Sequence, residues 1–376
     1  IKVEKPRGDA CRKIGPFYQD KPDAEKSLFW FAYNTSKRGI TLDIETKDGQ
    51  ELFKKLAKTA DIIIESFPPG YLNKLGLGYK SLSHFNPRII MTSITPFGQT
   101  GPHKNYKTCD LVASAMSGVT FTSGDEDRPP LRCSAEQTFF MSGLNAAVGT
   151  LMALHHRQNG GEGQHVDVSV QENIIMAILV PYWDMTGTVW SRCGASISRD
   201  VVKKRNIFCC KDGRVSWHLL SGLLGAKTNA VVKWMAEEGN SGGPEVIDWR
   251  TIDMDKVTQE QIDAWEKLFE AFFITHTKSE LQNGALERGM VLFPVSTIGD
   301  IARNEQLASR RFWEEVEHDE LGATLSYPGP AFKSPENMWR IRRRPPLVGE
   351  HNEEIYHHEL GLSKEELVIL KQSGVI

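Results

Sequence analysis

The sequence has no long apolar run and no excess of either charge. Its longest apolar stretch, around residues 174–181, is far shorter than the roughly 20 residues that a membrane-spanning helix needs. Its 45 basic and 48 acidic residues leave a net charge of −3 at pH 7. This balance lacks the basic excess typical of nucleic-acid-binding proteins, and the chain carries no acidic tail. We therefore expect neither a membrane nor a nucleic acid as a partner.

Cysteine is scarce, and the six cysteines, at positions 11, 109, 133, 193, 209 and 210, follow no regular spacing. Cys209 and Cys210 are adjacent, an arrangement that suits neither a disulfide bond between them nor a zinc knuckle. His357 and His358 are also adjacent, but no second cluster of ligands supports them, so no metal site is predicted. The cysteines are predicted to be reduced, mostly buried thiols of a cytoplasmic protein.

The first hundred residues alternate between strand and helix patterns. A short strand at 40–44 precedes a helix that Thr46 can cap, because its hydroxyl can accept a hydrogen bond from a free backbone amide. A β-branched run at 61–66 and an apolar run at 88–94 read as further strands. This alternation predicts an α/β fold with a parallel sheet between helices, in which the strand at 61–66 is covered on both faces.

The rest of the chain continues with a long helix and a change of composition. Small residues such as Ser142, Gly143 and Ala146 recur along a predicted helix at 136–157, which would allow another backbone to approach closely. The chain is longer than one core usually serves. We therefore predict a large domain beginning at 1–195, a small α+β domain at 196–325, and a return segment with a C-terminal helix at 326–376. Ser363 and Glu366 form a predicted capping box there.

Several short motifs occur in a specific order along almost the whole chain. They are KVEKPRGD at 2–9, NTSKR at 34–38, ESFPPG at 65–70, LGLGY at 75–79, FGQTGP at 97–102, GEGQHVDVS at 161–169 and PLVGEH at 346–351. In this order they resemble the family III CoA-transferases (the CaiB–BaiF family). The resemblance implies a large Rossmann-like domain and a smaller domain in a ring-shaped chain, interlocked with a second chain. It also implies a first strand and helix ahead of Ile1, so we expect the sequence to lack its true start.

The resemblance implies transfer of CoA from an acyl-CoA to a carboxylic acid through a covalent intermediate. In the family an aspartate attacks the donor thioester, and covalent catalysis divides one difficult step into easier ones. The matching position in this sequence is Phe139, which cannot act as a nucleophile. Glu136 is the nearest carboxylate along the chain. A related racemase activity is not expected, because its His-Asp pair is Cys109-Asp110 here.

Three interpretations of this conflict stay open. The chain can be one subunit of a hetero-oligomer whose homologous sister subunit carries the aspartate. Such chains resemble subunits that use succinyl-CoA to activate acids such as (R)-benzylsuccinate, and residues 182–187 resemble that subgroup. Alternatively, the chain is a homo-oligomeric transferase that uses Glu136, or a CoA-binding pseudoenzyme without turnover. Phe139 and Phe140 are predicted to be buried in the core, although an accessible pair would suit an aromatic acceptor.

Coenzyme A, as the acyl-CoA substrate, is the only cofactor that the resemblance implies. Its phosphates need cations or backbone amides. The family register gives Lys5, Lys74 and Lys107 as candidate CoA contacts. The backbone near 42–45 and 66–68 would flank the adenine and ribose, which adds Leu42, Asp43, Ser66 and Phe67. Arg12 and Arg38 are further candidates.

Overall fold

The computed structural model describes residues 1–125, 127–177, 190–193, 196–199, 202–240, 247–336 and 339–376. The segment at 182–187, which resembles the benzylsuccinate subgroup, lies outside these residues. Within them, no helix combines the length and the apolar character that crossing a bilayer would require.

The helices of the described residues include the three predicted ones, after Thr46, at 136–157 and near the C-terminus. They are α1 (Leu28–Asn34), α2 (Lys47–Thr59), α3 (Tyr71–Lys74), α4 (Tyr79–Ser83), α5 (Asp110–Met116), α6 (Gln137–Gln158), α7 (Val170–Ala177), α8 (Gly225–Glu237), α9 (Gln259–Phe273), α10 (Lys278–Glu287), α11 (Ile298–Ala302), α12 (Glu305–Ser309) and α13 (Lys364–Gln372). The Thr46 hydroxyl accepts a hydrogen bond from Gly49 and caps α2, as predicted. Ser363 and Glu366 form the predicted capping box of α13.

The strands are short and form several small sheets. They are β1 (Lys2–Glu4), β2 (Gly39–Thr41), β3 (Ile62–Glu65), β4 (Ile90–Thr95), β5 (His165–Ser169), β6 (Trp190–Cys193), β7 (Ser196–Arg199), β8 (Val202–Arg205), β9 (Ile207–Cys210), β10 (Gly213–Trp217), β11 (Leu292–Pro294), β12 (Trp313–His318) and β13 (Ala323–Pro328). The predicted strand at 40–44 ends early because the chain turns at Asp43. Its carboxylate accepts a hydrogen bond from the Glu45 amide, and its carbonyl accepts one from Thr46.

The chain forms two compact units. The first contains residues 1–93, 147–167 and 298–376, and the second contains residues 94–146 and 168–297. The three-part domain layout predicted from the sequence remains a prediction.

Parallel strand pairing characterises the first unit. β1 pairs in parallel with β2, with Val3 opposite Ile40, and β3 pairs in parallel with β4, with Ile63 opposite Met91. The prediction of a mixed α/β chain with parallel sheets is therefore confirmed. The prediction that the run at 61–66 is covered on both faces is wrong, because Ile64 is 61% exposed. An apolar run shows that a strand can be buried, but only the packing around it decides whether both faces are.

The core of the first unit joins residues from its two ends. Ile40 and Leu42 pack in one cluster with Tyr356 and Val375. The Asp43 amide also donates a hydrogen bond to the Val375 carbonyl, with 2.7 Å between the two atoms. A neighbouring cluster packs Trp30 and other residues of α1 against the β12–β13 hairpin. The C-terminal part of the chain is therefore part of the same core as the N-terminal strands.

An antiparallel sheet and an aromatic core characterise the second unit. β9, β10 and β11 form one antiparallel sheet, which packs with α8, α9 and α10. Trp217 stands at its centre, with its ring 4.5 Å from that of Phe269 and 5.5 Å from that of Phe273. Ring contacts at these distances stabilise the fold in addition to the hydrophobic free energy of the area that they bury.

A buried arginine fastens the start of the chain to its C-terminal part. Arg12 is 1% exposed, and its Nε and Nη2 donate to the two carboxylate oxygens of Glu4 at 2.7 and 2.9 Å. Nη1 donates to Glu25 at 2.6 Å, and Nη2 also donates to the Pro346 carbonyl at 2.8 Å. The guanidinium carbon lies 3.8 Å from the centroid of the Trp30 ring. Every nitrogen of this side chain is therefore used inside the protein.

Replacing this arginine is expected to be strongly destabilising. Arg12→Ala leaves the Glu4 carboxylate buried without its counter-charge, which typically costs about 3–5 kcal/mol of the free energy of unfolding. Lys54→Ala is the matched control, because Lys54 forms an exposed ion pair with Glu51 and such pairs contribute about 1 kcal/mol or less. Urea unfolding of both variants measures the difference. Equal losses would contradict this role of Arg12.

Candidate functional site

Phe139, the residue that the resemblance aligns with the family nucleophile, lies in the first turn of α6. Phe139 is 36% exposed, and Phe140 is half-buried. The prediction that both rings are buried in the core is therefore wrong. The buried positions of α6 are instead mostly small or polar, namely Thr138, Ser142, Ala146, Thr150, Ala153 and Arg157. Because this stripe faces inward, the large apolar side chains of the helix face outward.

A buried carboxylate holds the start of α6. Asp110, the first residue of α5, is 3% exposed. Its Oδ1 accepts hydrogen bonds from the Thr138 amide at 3.0 Å and the Thr138 hydroxyl at 2.7 Å, and its Oδ2 accepts one from Arg132 Nε at 3.3 Å. The Thr138 amide is one of the first amides of α6, which have no partner within their own helix. Asp110 therefore caps α6 from outside and positions the residue next to Phe139.

Glu136 immediately precedes α6. Its backbone carbonyl accepts hydrogen bonds from the Phe139 and Phe140 amides. The side chain is half-buried. In the part of the chain that the structure describes, its carboxylate has no hydrogen-bond or ion-pair partner. A role for this carboxylate in covalent chemistry remains a hypothesis.

Several candidate CoA contacts of the first unit gather around one carboxylate that was not among them, Glu45. Lys5 Nζ lies 3.2 Å from Glu45 Oε1, and the Tyr71 hydroxyl donates to the same oxygen at 2.8 Å. The Tyr71 ring stacks on that of Phe67, with 4.9 Å between the ring centroids. The Glu45 amide donates to Asp43. Lys5, Asp43 and Phe67 are therefore linked through Glu45 and Tyr71.

The electrostatics of this group follow from those contacts. The pKa of the Glu45 carboxyl lies below its usual value, first because Tyr71 donates a hydrogen bond to it and second because Lys5 does. Burial, together with the hydrogen bond to Glu45, raises the pKa of Tyr71 to about 12. At neutral pH Glu45 is therefore a carboxylate and Tyr71 a neutral phenol.

The remaining candidates have different surroundings. Leu42 is 2% exposed and belongs to the core, so only its backbone is available to a ligand. Ser66 is exposed, and Lys74 is exposed at the end of α3. Lys107 is exposed in the second unit. The assignment of these residues to a CoA site remains a prediction.

The two arginines named as further candidates are engaged with the protein. Arg12 is fully used in the buried network described above. Arg38 donates to Glu354 at 2.7 Å and also to Glu359. These bonds hold the segment around 353–359 to the start of β2. Arg12 is therefore a structural residue rather than a ligand contact.

Sequence reasoning missed Glu45 and Tyr71. Glu45 lies in the segment whose backbone was expected near the ligand. Nothing in the sequence indicated that its carboxylate would contact Lys5 and Tyr71. Gly70, which precedes Tyr71, adopts a left-handed conformation at φ 82° that favours glycine. The PPG sequence before α3 therefore marks the turn that presents Tyr71, but it does not reveal the partner of its hydroxyl.

The prediction of mostly buried cysteines is wrong for the described side chains. Cys109, Cys133 and Cys209 are exposed, Cys11 is half-buried, and Cys210 is buried. Cys109 precedes α5, Cys133 lies in a loop and Cys209 lies on β9. A side chain as small as that of cysteine can remain exposed at such positions. Among the described residues, no group of histidine, cysteine and acidic side chains could hold a metal ion.

Comparison with known proteins identifies relatives over almost the whole chain. The sequence model of CoA-transferase family III matches residues 1–352. The chain is 35% identical over 358 residues to the succinyl-CoA:(R)-benzylsuccinate CoA-transferase subunit BbsE of Thauera aromatica, covering 94% of this chain and 86% of the relative. It is 30% identical over 382 residues to the succinyl-CoA–L-malate CoA-transferase beta subunit of Chloroflexus aurantiacus, covering 100% and 91%.

A solved structure shares the fold. A CAIB/BAIF family protein from Brucella suis superposes with a TM-score of 0.78, covering 95% of this chain and 90% of that protein, at 23% sequence identity.

The role of Asp110 predicts two graded losses of stability. Thr138→Val removes one hydrogen bond to a buried carboxylate and should lower the free energy of unfolding by about 1–2 kcal/mol. Asp110→Ala leaves the amide and the hydroxyl of Thr138 without an acceptor and should cost about 3 kcal/mol. The exposed Gln137→Ala is the control, with an expected change within about 0.5 kcal/mol. Urea unfolding measures all three, and a Thr138→Val loss no larger than that of the control would contradict the capping role.

Proposed function

This chain belongs to CoA-transferase family III, and on that premise we propose that it is the subunit without the nucleophile of a hetero-oligomeric CoA-transferase. A homologous sister subunit supplies the catalytic aspartate. The pair moves CoA from an acyl-CoA such as succinyl-CoA to a carboxylic acid such as (R)-benzylsuccinate, in the cytoplasm. The observation that carries the proposal is the phenyl ring of Phe139 at the position of the family aspartate.

The chemistry requires a carboxylate that this position lacks. In the proposed reaction the sister subunit's aspartate attacks the thioester carbonyl of the acyl-CoA, forms a mixed anhydride and releases CoA thiolate. The thiolate then attacks the aspartyl carbonyl, which forms an enzyme thioester and releases the donor acid. The acceptor carboxylate attacks that thioester, releases CoA thiolate and forms a second mixed anhydride. The thiolate then attacks the acceptor carbonyl of this anhydride, which yields the new acyl-CoA and the free aspartate carboxylate. A phenyl ring has no lone pair for the first step.

Exposed apolar side chains on α6 and in the loop before it support a second chain. On α6, Leu144 is 71% exposed and Met152 is 68% exposed, and Phe121 in the preceding loop is 72% exposed. Soluble monomers rarely leave many large apolar side chains in water, whereas association with another chain buries them. We propose that the sister subunit covers these side chains, in the interlocked ring arrangement and with the three-part domain layout expected from the resemblance.

The names of the relatives support both the two-subunit proposal and the choice of (R)-benzylsuccinate as the acceptor acid. The first is described as a subunit of succinyl-CoA:(R)-benzylsuccinate CoA-transferase, and the second as a beta subunit. Phe139 presents a partly exposed aromatic ring at the position where the family chemistry takes place. Such a ring is compatible with an aromatic acceptor in a shared site.

A second candidate is a homo-oligomeric transferase that uses Glu136. The observation that favours it is the lack of a partner for the Glu136 carboxylate in the described residues. A carboxylate that is not engaged by the protein is available for nucleophilic chemistry.

One set of assays separates these candidates. Succinyl-CoA-dependent transfer to (R)-benzylsuccinate is measured with this chain alone and with an aspartate-bearing homologue co-expressed. We expect activity only in the pair. Replacing the homologue's aspartate by asparagine should reduce kcat on the order of a thousandfold or more, because a nucleophile is lost. Glu136→Gln in this chain should leave the activity of the pair within about twofold, since no covalent step uses it.

Other outcomes assign the chain differently. Activity of the chain alone that Glu136→Gln abolishes would refute the two-subunit proposal and support the homo-oligomeric enzyme. Binding of CoA without turnover in either preparation would identify a pseudoenzyme.

A further inference from the structure

Three loops of the first unit meet at Glu45. Lys5 follows the end of β1, Glu45 follows the end of β2, and Phe67 and Tyr71 follow the end of β3. One oxygen, Glu45 Oε1, contacts both the Lys5 ammonium at 3.2 Å and the Tyr71 hydroxyl at 2.8 Å. These loops lie at the carboxyl ends of parallel strands, where ligands of α/β proteins usually bind.

The Lys5–Glu45 ion pair contributes little to folding. The two side chains are 64% and 53% exposed, and exposed pairs of this kind stabilise proteins only slightly. Glu45 is nevertheless held in place, because Tyr71 donates to it and Tyr71 itself stacks on Phe67. The lysine is therefore a surface cation whose charge is already matched by a carboxylate that the protein keeps beside it.

We propose that Glu45 competes with a CoA phosphate for Lys5 and thereby weakens the binding of CoA. This inference rests on the proposed function. In the ligand-free chain the carboxylate occupies the Lys5 ammonium. A phosphate of CoA displaces it there, while Tyr71 keeps Glu45 close to the bound anion.

The energetics of this exchange follow from charge. The 3′-phosphate of CoA carries more negative charge than a carboxylate, and the pyrophosphate places two charges close together. Both make strong charge-assisted hydrogen bonds, so either can take over the lysine. The displaced carboxylate remains within a few ångströms and repels the phosphate, and this repulsion weakens as salt rises. Glu45 therefore lowers the affinity of the site for anions and makes the release of the CoA product easier.

The test is the affinity of the full chain for CoA, measured by calorimetry, because all three groups belong to one chain. Glu45→Gln keeps an acceptor for Tyr71 and removes the charge. We expect the dissociation constant for CoA to fall about three- to tenfold at low salt, consistent with the removal of one nearby like charge. The gain should shrink in 0.5 M NaCl, roughly three times the physiological ionic strength at which exposed charges are already largely screened.

Glu51→Gln is the matched control, because Glu51 is also an exposed carboxylate that pairs with a lysine, at 2.7 Å from Lys54. We expect no change in its affinity for CoA. Dephospho-CoA identifies the phosphate that meets Lys5. If the gain of Glu45→Gln is lost with this ligand, the 3′-phosphate is the competitor, and if the gain persists, the pyrophosphate is. Both results support the inference.

Two results would overturn it, and they are distinguishable. If the wild-type chain binds CoA and Glu45→Gln binds it equally or more weakly, Glu45 does not compete and the proposed function is unaffected. If the wild-type chain does not bind CoA at all, the CoA site of the proposed function fails and this inference fails with it.

Discussion

The first unit depends on one buried ion pair, between Arg12 and Glu4. The arginine reaches from the turn after β1 to Glu4 at the end of that strand, to Glu25 and to the Pro346 carbonyl. Because both charges are buried, neither can be satisfied by water, and each requires the other in a fixed position. The Trp30 indole lies against the guanidinium and donates to the same Pro346 carbonyl. The ends of the chain are thus held together by polar geometry as well as by their shared apolar core.

The helix α6 reverses the usual distribution of side chains. Its buried stripe is made mostly of small and polar residues, some of which form hydrogen bonds within the helix or with β4. Ser142 bonds to the Thr138 carbonyl and Thr150 to Thr92, each at 2.7 Å. The apolar side chains of the helix are left outside. Such a helix packs well within its own chain but exposes apolar side chains to solvent. This is the property expected of a helix that a second chain covers.

In the proposed two-subunit enzyme, this chain keeps the family scaffold without the family nucleophile. Phe139 stands where the resemblance expects the nucleophile, and Asp110 anchors the adjacent Thr138 through two hydrogen bonds. The region where CoA is expected likewise retains an organised set of loops around Glu45. A chain that keeps the architecture of a site without its reactive group is suited to completing the site of a homologue. The physical reason is that shaping a pocket requires packing and hydrogen bonds, whereas the covalent step requires a single carboxylate.

The family, the α/β class and several regular elements could be predicted from the sequence alone. Ordered motifs identify a relative regardless of packing, and local signals such as Thr46 and the Ser363 capping box act within one helical turn. The sequence also showed that a carboxylate is missing at position 139. These features depend on residue identity or on neighbours along the chain.

Only the tertiary structure decided which side chains are inside and which groups meet. An apolar pattern could not distinguish the exposed Phe139 and Ile64 from core residues, because exposure depends on what other segments cover. Arg12 was a further candidate for a ligand contact, but in the folded chain its donors are used by Glu4, Glu25 and the distant Pro346 carbonyl. Glu45 and Tyr71, 26 residues apart, form one group only because their loops converge. Contacts between residues far apart in sequence produce no periodic pattern in a single sequence. Their partners can therefore be identified only in the folded structure.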